Sequence, residues 1–317
     1  MKLVFCGTPR FAVPTVEALH EAGHEIALVV SQPDRPAGRS QQLVAPPVKQ
    51  TAHALGIPVT QPDRIRNNVE FREQLEAIAP DAIIVVAYGR IIPPWMLALP
   101  RLGCINLHAS LLPKYRGAAP IQWAIAMGET VTGNTTMLLE EGLDTGPILM
   151  QQALIIRPEQ TAVDLFEEMA LGGAPLVVET LENLANGTVQ PKPQDHSRAT
   201  LAPLLDREDG RMNFSAYTAT TLRNRWRGFQ PWPGAFTALD GKKLIVHQMD
   251  VATGIDIGAS GSSEPGRIVV DRGAAVAVAC AGNTWLELIE LQLEGKKRMP
   301  VAEFLRGAQL ITGMRLG

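Results

Sequence analysis

The sequence predicts an α/β protein with a doubly wound, mostly parallel sheet, followed by a small β-barrel. Apolar strand-like runs alternate with helical patterns in the first half, and short β-like runs with Gly-rich turns fill residues 207–317. The run at 81–87 is apolar almost throughout, which indicates burial on both faces of a parallel sheet. In such sheets, ligands bind beyond the carboxyl ends of the strands.

The length of 317 residues exceeds one typical hydrophobic core and predicts two domains. Asn-Gly at 186–187 and Pro-Lys-Pro at 191–193 indicate a linker. We therefore expect a first domain at 1–189, a linker at 190–206 and a second domain at 207–317. The second domain carries 14 Lys and Arg against 11 Asp and Glu, whereas the whole chain has a net charge of −3. This mild excess favours a polyanionic partner only weakly.

The composition is typical of a soluble globular protein, with 46% hydrophobic and 19% charged residues. No apolar run approaches membrane-spanning length, and a strand-like run begins at once, so we expect neither a membrane span nor a signal peptide. Cys6, Cys104 and Cys280 stand alone in apolar runs without a CxxC pair. This pattern predicts buried, reduced thiols in a cytosolic protein, without a zinc site.

The segment after the first strand argues against a nucleotide-dependent oxidoreductase. Residues 7–11 read Gly-Thr-Pro-Arg-Phe, which lacks the G-x-G-x-x-G fingerprint. Pro9 also has no amide hydrogen to offer to a pyrophosphate.

The segment at 31–49 contains four prolines, and we expect it to form no regular element. Its basic residues are Arg35, Arg39 and Lys49, and its one acid is Asp34. A surface loop without a specific role is the alternative interpretation.

The strand predicted at 104–108 carries the clearest candidate chemistry. Side chains alternate along a strand, so Asn106 and His108 project to the same side. A carboxamide can hold a carbonyl oxygen while a neighbouring imidazole moves a proton, which suits acyl transfer. On this pair alone, two polar residues satisfied at a strand end remain an equally open interpretation.

A second segment strengthens the acyl-transfer hypothesis. A strand predicted at 135–139 leads into a loop with Glu140, Glu141 and Asp144 between glycines, and this loop could bring a carboxylate to His108. Asn-x-His-x-Ser-Leu-Leu-Pro at 106–113, Arg-Gly-Ala-Ala-Pro at 116–120 and Gly-Leu-Asp-Thr-Gly at 142–146 resemble the formyltransferases that use 10-formyltetrahydrofolate. The resemblance extends over most of the chain and is closest to the methionyl-tRNA formyltransferases.

This resemblance implies a Rossmann-like catalytic domain and an OB-like barrel that contacts tRNA. It implies transfer of the formyl group to the α-amino group of methionyl initiator tRNA, without a metal, by a monomer in the bacterial cytosol. Asn106 would hold the oxyanion, His108 would transfer a proton, and Asp144 would orient His108. The folate site would be lined by Ser110, Leu111, Leu112 and Pro113, with the backbone of Tyr88 and Gly89.

The resemblance also implies that the basic loop carrying Arg35, Arg39 and Lys49 enters the acceptor arm of the tRNA. Ser-Gln-Gln at 40–42 replaces the basic run common in this family, which weakens the loop's charge. Later in the chain, Arg223, Arg225 and Arg227 alternate with aromatic residues, a mixture that can bind phosphates and stack on bases. A packed barrel edge is the alternative there.

Two other functions remain open from the sequence. A formyltransferase acting on an amino sugar nucleotide would share the catalytic residues and the two-domain plan. A non-catalytic RNA-binding protein would not need Asn106, His108 and Asp144 together.

Overall fold

The computed structural model of this chain describes residues 1–37, 42–253, 264–271, 275–307 and 310–317. The chain divides into two compact units, which are treated separately below. The first comprises Met1–Pro120, Val131–Ile155 and Asp164–Pro203, and the second comprises Ile121–Thr130, Ile156–Val163 and Leu204–Gly317. Most of the predicted linker therefore packs with the first unit. The functional division at 189 and 207 stays a prediction.

The elements of the chain as far as residue 185 begin with a strand at its second residue. They are β1 (Lys2–Gly7), α1 (Val13–Glu21), β2 (Glu25–Val30), β3 (Arg35–Ala37), β4 (Gln42–Val44), α2 (Pro47–Ala54), β5 (Val59–Thr60), α3 (Val69–Ile78), β6 (Ala82–Val86), α4 (Pro94–Leu97), β7 (Cys104–His108), α5 (Pro120–Ala126), β8 (Val131–Leu138), β9 (Ile148–Ile155) and α6 (Ala162–Ala185). A short 3-10 helix at Arg10–Ala12 precedes α1.

The main sheet of the first unit confirms the predicted α/β class. Its strand order is β5-β2-β1-β6-β7-β8-β9. The pairs from β5 to β7 are parallel, whereas β8 pairs antiparallel with β7 and with β9. The chain starts in the middle of the sheet, moves outward to β5 and returns through β6 on the other side of β1. The carboxyl ends of β1 and β6 therefore flank the point where the order reverses, which is where open α/β sheets bind ligands.

The central strands are buried on both faces, as their apolar runs predict. All five residues of β6 and all five of β7 are buried. The three cysteines are buried free thiols. Burial raises the pKa of the Cys6 thiol, and it raises that of Cys104 to about 12.

The expectation of no regular element at 31–49 was wrong for part of this segment. β3 and β4 pair as a two-stranded antiparallel ribbon in which Pro36 lies opposite Leu43. A two-stranded ribbon leaves one edge of each strand unpaired, so a proline without an amide hydrogen is tolerated. Pro47 then opens α2, where the missing amide hydrogen costs nothing.

The elements of the second half are mainly antiparallel strands. They are α7 (Ala219–Gly228), β10 (Phe236–Leu239), β11 (Lys242–Val251), β12 (Ile268–Asp271), β13 (Ala275–Cys280), β14 (Thr284–Leu293), β15 (Met299–Pro300) and α8 (Val301–Gly307). The helix expected at 300–310 thus begins one residue later, because Pro300 still pairs with Glu290.

The predicted OB-like barrel is not confirmed. The strands form an antiparallel sheet in the order β10-β11-β14-β13-β12, with β15 on β14. Among the described residues, no pairing joins β10 to β12, so the sheet is open there. The mobile loop predicted at 254–266 lies, as far as residue 263, outside the described residues.

No helix in the described ranges is both long enough and apolar enough to cross a membrane.

The stability of the main sheet depends on its buried strands. Ile84 in β6 is fully buried, whereas Ile155 in β9 is 71% exposed. Ile84→Ala leaves a cavity and is expected to lower the free energy of unfolding by about 2–5 kcal/mol. Ile155→Ala, the matched control, should change it by less than about 0.5 kcal/mol. Urea unfolding of the two variants measures the difference, and equal losses would contradict the described burial.

Candidate active site

Asn106 and His108 lie at the carboxyl end of β7. Asn106 pairs with Met137 of β8, and His108 pairs with Thr135. Both side chains are largely buried, at 8% and 6% exposed. The side chain of Asn106 has no hydrogen bond to another described residue, although buried carboxamides are normally bonded. Its two N–H donors are therefore available to a bound molecule.

His108 is held in one tautomer by a backbone carbonyl. Its Nε2 lies 2.8 Å from the carbonyl oxygen of Tyr115. A carbonyl oxygen only accepts hydrogen bonds, so Nε2 must carry the hydrogen. In the neutral imidazole the lone pair is then on Nδ1, which lies 3.7 Å from Oδ2 of Asp144. Nδ1 is therefore the atom at which His108 gains or loses a proton.

Asp144 reaches His108 from the loop between β8 and β9. Its backbone is in the left-handed region, with φ of 50°. Its Oδ2 accepts a hydrogen bond from the Gly117 amide at 2.8 Å. The loop is tight, because a Cβ on Gly146 would lie 1.8 Å from the Leu138 carbonyl oxygen. The structure thus places Asp144 next to His108, as the sequence predicts, and the roles of the three residues stay predictions.

The loop at 110–113 is fixed by a threonine that the sequence analysis did not identify. Thr135 Oγ1 donates to the Ser110 carbonyl at 2.6 Å and accepts from the Leu112 amide at 3.2 Å. Ser110 itself donates to the Lys114 carbonyl at 2.6 Å. Leu111 and Pro113 are half-buried, whereas Ser110 and Leu112 are buried. The signal for Thr135 was its position in the strand opposite His108, which needs the sheet register.

A cleft of about 480 Å³ lies at the ends of β1, β2 and β6. Its lining is mostly apolar and consists of Thr8, Pro9, Gln32, Pro33, Arg35, Pro36, Val44, Ala45, Pro46, Pro47, Ala87, Tyr88 and Gly89. It contains the predicted Tyr88 and Gly89, whereas the predicted residues 110–113 are not part of its lining. Since β6 pairs with β7, the cleft lies one strand away from Asn106 and His108.

The backbone of Tyr88 rather than its ring is available to a ligand. The Tyr88 side chain is buried in the core, and burial raises the pKa of its hydroxyl. Its carbonyl accepts hydrogen bonds from Thr8 at 3.1 Å and from Gln32 at 3.2 Å. Ala87 and Gly89 on either side have φ of 47° and 77°.

A polar cluster holds the base of the β3–β4 ribbon. Lys49 Nζ lies 2.9 Å from each carboxylate oxygen of Asp34 and 2.7 Å from Oε1 of Gln61. Gln61 in turn donates to the Gln32 carbonyl at 2.7 Å. Hydrogen bonds from Lys49 and then Gln61 hold the pKa of Asp34 below its usual value. Lys49 therefore serves the base of the ribbon.

Arg35 is the described basic residue of this ribbon that remains open. It is exposed and has no ion pair with a described residue. Arg39, its predicted companion, lies outside the described residues.

Arg223 and Arg225 of α7 have partners within the second unit. Arg223 Nε lies 2.6 Å from Oδ1 of Asp250. Arg225 lies over the rings of Tyr217 and Phe229, each with its centroid 4.8 Å away. These contacts stabilise the fold of this unit.

Arg227 is only 5% exposed. It donates to the carbonyl oxygens of Arg157 at 3.1 Å and Gln160 at 2.9 Å. Burial and then the charge of Arg223 lower its pKa. The structure therefore favours a structural role for Arg227 over the predicted contact with tRNA.

Among the residues that the structure describes, no group of three or more His, Cys, Asp or Glu side chains could hold a metal ion.

Comparison with protein families matches both parts of the chain. Residues 1–181 match the family described as "Formyl transferase", and residues 204–309 match "Formyl transferase, C-terminal domain". A protein named "Methionyl-tRNA formyltransferase" from Acidobacterium capsulatum is 65% identical over 317 residues, covering 100% of both chains. A protein with the same name from Koribacter versatilis is 55% identical, covering 100% of this chain and 99% of that one.

Solved structures are similar in fold at low sequence identity. The sugar 3N-formyl transferase WlaRD, in the presence of dTDP and 5-N-formyl-THF, has a TM-score of 0.65 at 16% identity, covering 94% of this chain and 99% of that one. HypX from Aquifex aeolicus, in complex with tetrahydrofolic acid, has a TM-score of 0.60 at 19% identity. This second match covers 96% of this chain, which spans about half of HypX, at 47%.

The cluster around Asp34 is open to direct measurement. Lys49→Met should raise the pKa of Asp34 toward the ordinary value of about 3.9, because its main hydrogen-bond donor is lost. In the unaltered protein, the stability from this carboxylate is present above the unfolded pKa and is lost as the pH falls through the lower folded pKa. NMR titration of the Asp34 carboxyl carbon measures the shift, with the exposed Lys192→Met as control. An Asp34 pKa unchanged by Lys49→Met would contradict the cluster.

Proposed function

This chain belongs to the formyl transferase family, and we propose that it transfers the formyl group of 10-formyltetrahydrofolate to the free α-amino group of methionyl initiator tRNA. The product is N-formylmethionyl-tRNA, which is used in translation initiation. The observation that carries the proposal is the 65% identity, over the whole length of both chains, to a protein named methionyl-tRNA formyltransferase. We also propose that the protein acts in the bacterial cytosol as a monomer.

The transfer makes a bond from the amine nitrogen to the formyl carbon and breaks the bond from that carbon to the folate nitrogen. The amine must attack in its neutral form, and it loses a proton as the new bond forms. The carbonyl oxygen gains negative charge on the way, and the departing folate nitrogen takes up a proton. The site must therefore stabilise an oxyanion and move a proton over a short distance.

Asn106 supplies the oxyanion donor in this account. Its carboxamide is buried at the end of a rigid strand, and its N–H groups have no described partner. One well-placed donor to a developing oxyanion is typically worth about 3–4 kcal/mol. Because β7 is buried between β6 and β8, the donor is held in place before the substrate arrives.

His108 and Asp144 handle the proton. His108 exchanges it at Nδ1, since Nε2 is bonded to the Tyr115 carbonyl. Asp144 lies 3.7 Å from Nδ1, which exceeds a direct hydrogen bond and leaves room for a small adjustment when substrate binds. Its carboxylate stabilises the imidazolium that forms when His108 takes a proton.

The formyl donor fits the edge of the sheet where two strand ends meet. We assign the backbone of Tyr88 and Gly89 at the end of β6 and the loop residues Ser110, Leu111, Leu112 and Pro113 after β7 to its site. The cleft beside Tyr88 has a volume within the range of small-molecule sites, about 300–1,000 Å³. Its apolar walls suit a flat aromatic group, and its exposed peptide groups offer the polar contacts.

For the tRNA we propose Arg35 and Arg39 as phosphate contacts of the β3–β4 ribbon. Arg35 is exposed and unpaired among the described residues. Lys49 supports these contacts indirectly by holding the base of the ribbon through Asp34. Arg223 and Arg225 are retained only as secondary candidates, since both already have partners in their own unit.

The choice of acceptor tests the proposed function. The purified full-length protein is given 10-formyltetrahydrofolate with methionyl initiator tRNA, methionyl elongator tRNA or an amino sugar nucleotide, and formylated product is measured. We expect product with initiator tRNA and at least about 100-fold less with the other two, in line with specificity set by binding contacts. Preference for the sugar would favour the alternative suggested by the fold of WlaRD. No turnover with any acceptor, despite RNA binding, would indicate a non-catalytic RNA-binding protein.

The catalytic roles are tested by changes that keep the shape of the site. Asp144→Asn keeps an acceptor for the Gly117 amide but loses the charge, and His108→Ala removes the proton carrier. Each should lower kcat by about 100-fold or more. The control is Glu141→Gln, an exposed residue of the same loop, which should behave as wild type. A kcat near wild type in either site variant would refute the assigned role.

A further inference from the structure

The segment at 194–202, predicted only as part of a linker, runs along the candidate active site within the first unit. Arg116 N–H donates to the Thr200 carbonyl at 2.8 Å, and Ala202 N–H donates to the Arg116 carbonyl at 2.7 Å. Ala119 N–H also donates to the Ala202 carbonyl at 3.1 Å. The segment is therefore bonded along its length to the loop that contacts both His108 and Asp144.

Gln194 joins two loops through a single side chain. Its Nε2 donates to the carbonyl oxygens of Asp144 at 2.9 Å and Gly146 at 2.7 Å. Its Oε1 accepts from Nη2 of Arg116 at 2.7 Å and from Nε at 3.2 Å. The orientation of the amide is settled by its partners, since a guanidinium only donates and a carbonyl only accepts. Both donors and the acceptor of Gln194 are in use, and the side chain is 6% exposed.

Arg116 makes this arrangement necessary. Its side chain is buried at 7% exposed, and it has no carboxylate partner among the described residues. Its acceptors are Gln194 and, at 3.1 Å from Nη2, the Nδ1 of His196. A buried guanidinium without acceptors is costly, so Arg116 holds the Gln194 oxygen and thereby aims its nitrogen at the Asp144 turn.

Thr200 acts on the other catalytic side chain. Its Oγ1 accepts a hydrogen bond from the Tyr115 amide at 2.9 Å. Tyr115 has φ of 61°, a conformation that a tyrosine rarely adopts without support. Its carbonyl is the group that fixes His108. The hydroxyl of Thr200 thus supports the peptide that determines the tautomer of His108.

We propose that Gln194 and Thr200 are positioning residues, through which the segment at 194–202 holds Asp144 and His108 in register for the transfer. Neither side chain contacts the reacting atoms. Gln194 acts through the backbone of the Asp144 turn, and Thr200 acts through the backbone of Tyr115. This inference rests on the proposed function for the identity of the transfer, while the geometry that supports it does not.

The test uses full-length variants and separates kcat from KM. Gln194→Glu keeps the acceptor for Arg116 but turns a carboxylate oxygen toward the two carbonyls that Gln194 now serves. We expect kcat to fall about 10- to 100-fold, because small displacements of catalytic groups have effects of that size. The KM for each substrate should stay within about twofold, since the binding surfaces are untouched. Gln190→Glu, the same change at an exposed residue of this segment, should match wild type.

Thr200 supplies a second, independent pair of variants. Thr200→Val removes the hydroxyl at an exposed position, so folding should survive, and kcat should fall by about tenfold. Thr200→Ser keeps the hydroxyl and should restore kcat. The proposal is overturned if kcat of Gln194→Glu and Thr200→Val stays within about twofold of wild type, or if Thr200→Ser loses as much as Thr200→Val. A fall in kcat accompanied by equal loss of folate binding would also overturn it.

Wild-type protein is assayed in parallel on methionyl initiator tRNA. An inactive wild type would refute the proposed function. An active wild type with unaffected variants would refute only the positioning role.

Discussion

The hydrogen bond from His108 Nε2 to the Tyr115 carbonyl, at 2.8 Å, determines which nitrogen of the imidazole can exchange a proton. It leaves Nδ1 facing the Asp144 carboxylate, and the alternation along β7 places Asn106 on the same side as His108. An oxyanion donor, a proton carrier and a carboxylate are thereby arranged around one small volume. If the Tyr115 carbonyl moved, both the tautomer and the direction of His108 would be lost.

The groups that surround His108 are held in conformations that they would not adopt alone. Tyr115 and Asp144 both lie in the left-handed region, which costs an L-residue roughly 1–2 kcal/mol. Hydrogen bonds from Gly117, Gln194 and Thr200 offset that cost. The first unit thus combines a rigid strand with two strained loops, a combination common at functional sites. A segment that follows the last helix of this unit completes the support.

Local patterns in the sequence predicted those parts of the site that depend on a single element. Alternation along one strand was enough to place Asn106 and His108 on one side, and apolar runs predicted the parallel sheet. Gln194 was not predictable, because its partners Asp144 and Arg116 are about 50 and 80 residues away. The partners of Lys49 and Arg227 were missed for the same physical reason. Charge in a sequence shows where cations are, but only the folded chain shows which of them are already bonded.

The central claim is that the Tyr115 carbonyl fixes the hydrogen of His108 on Nε2. The most direct measurement is ¹⁵N NMR of the imidazole of His108 in the full-length protein, as a function of pH. The account predicts that, wherever the imidazole is neutral, the proton is on Nε2 and the signal of Nδ1 alone responds to titration. A neutral imidazole with its proton on Nδ1 would contradict the account, since Nε2 would then face the Tyr115 oxygen without a hydrogen between them.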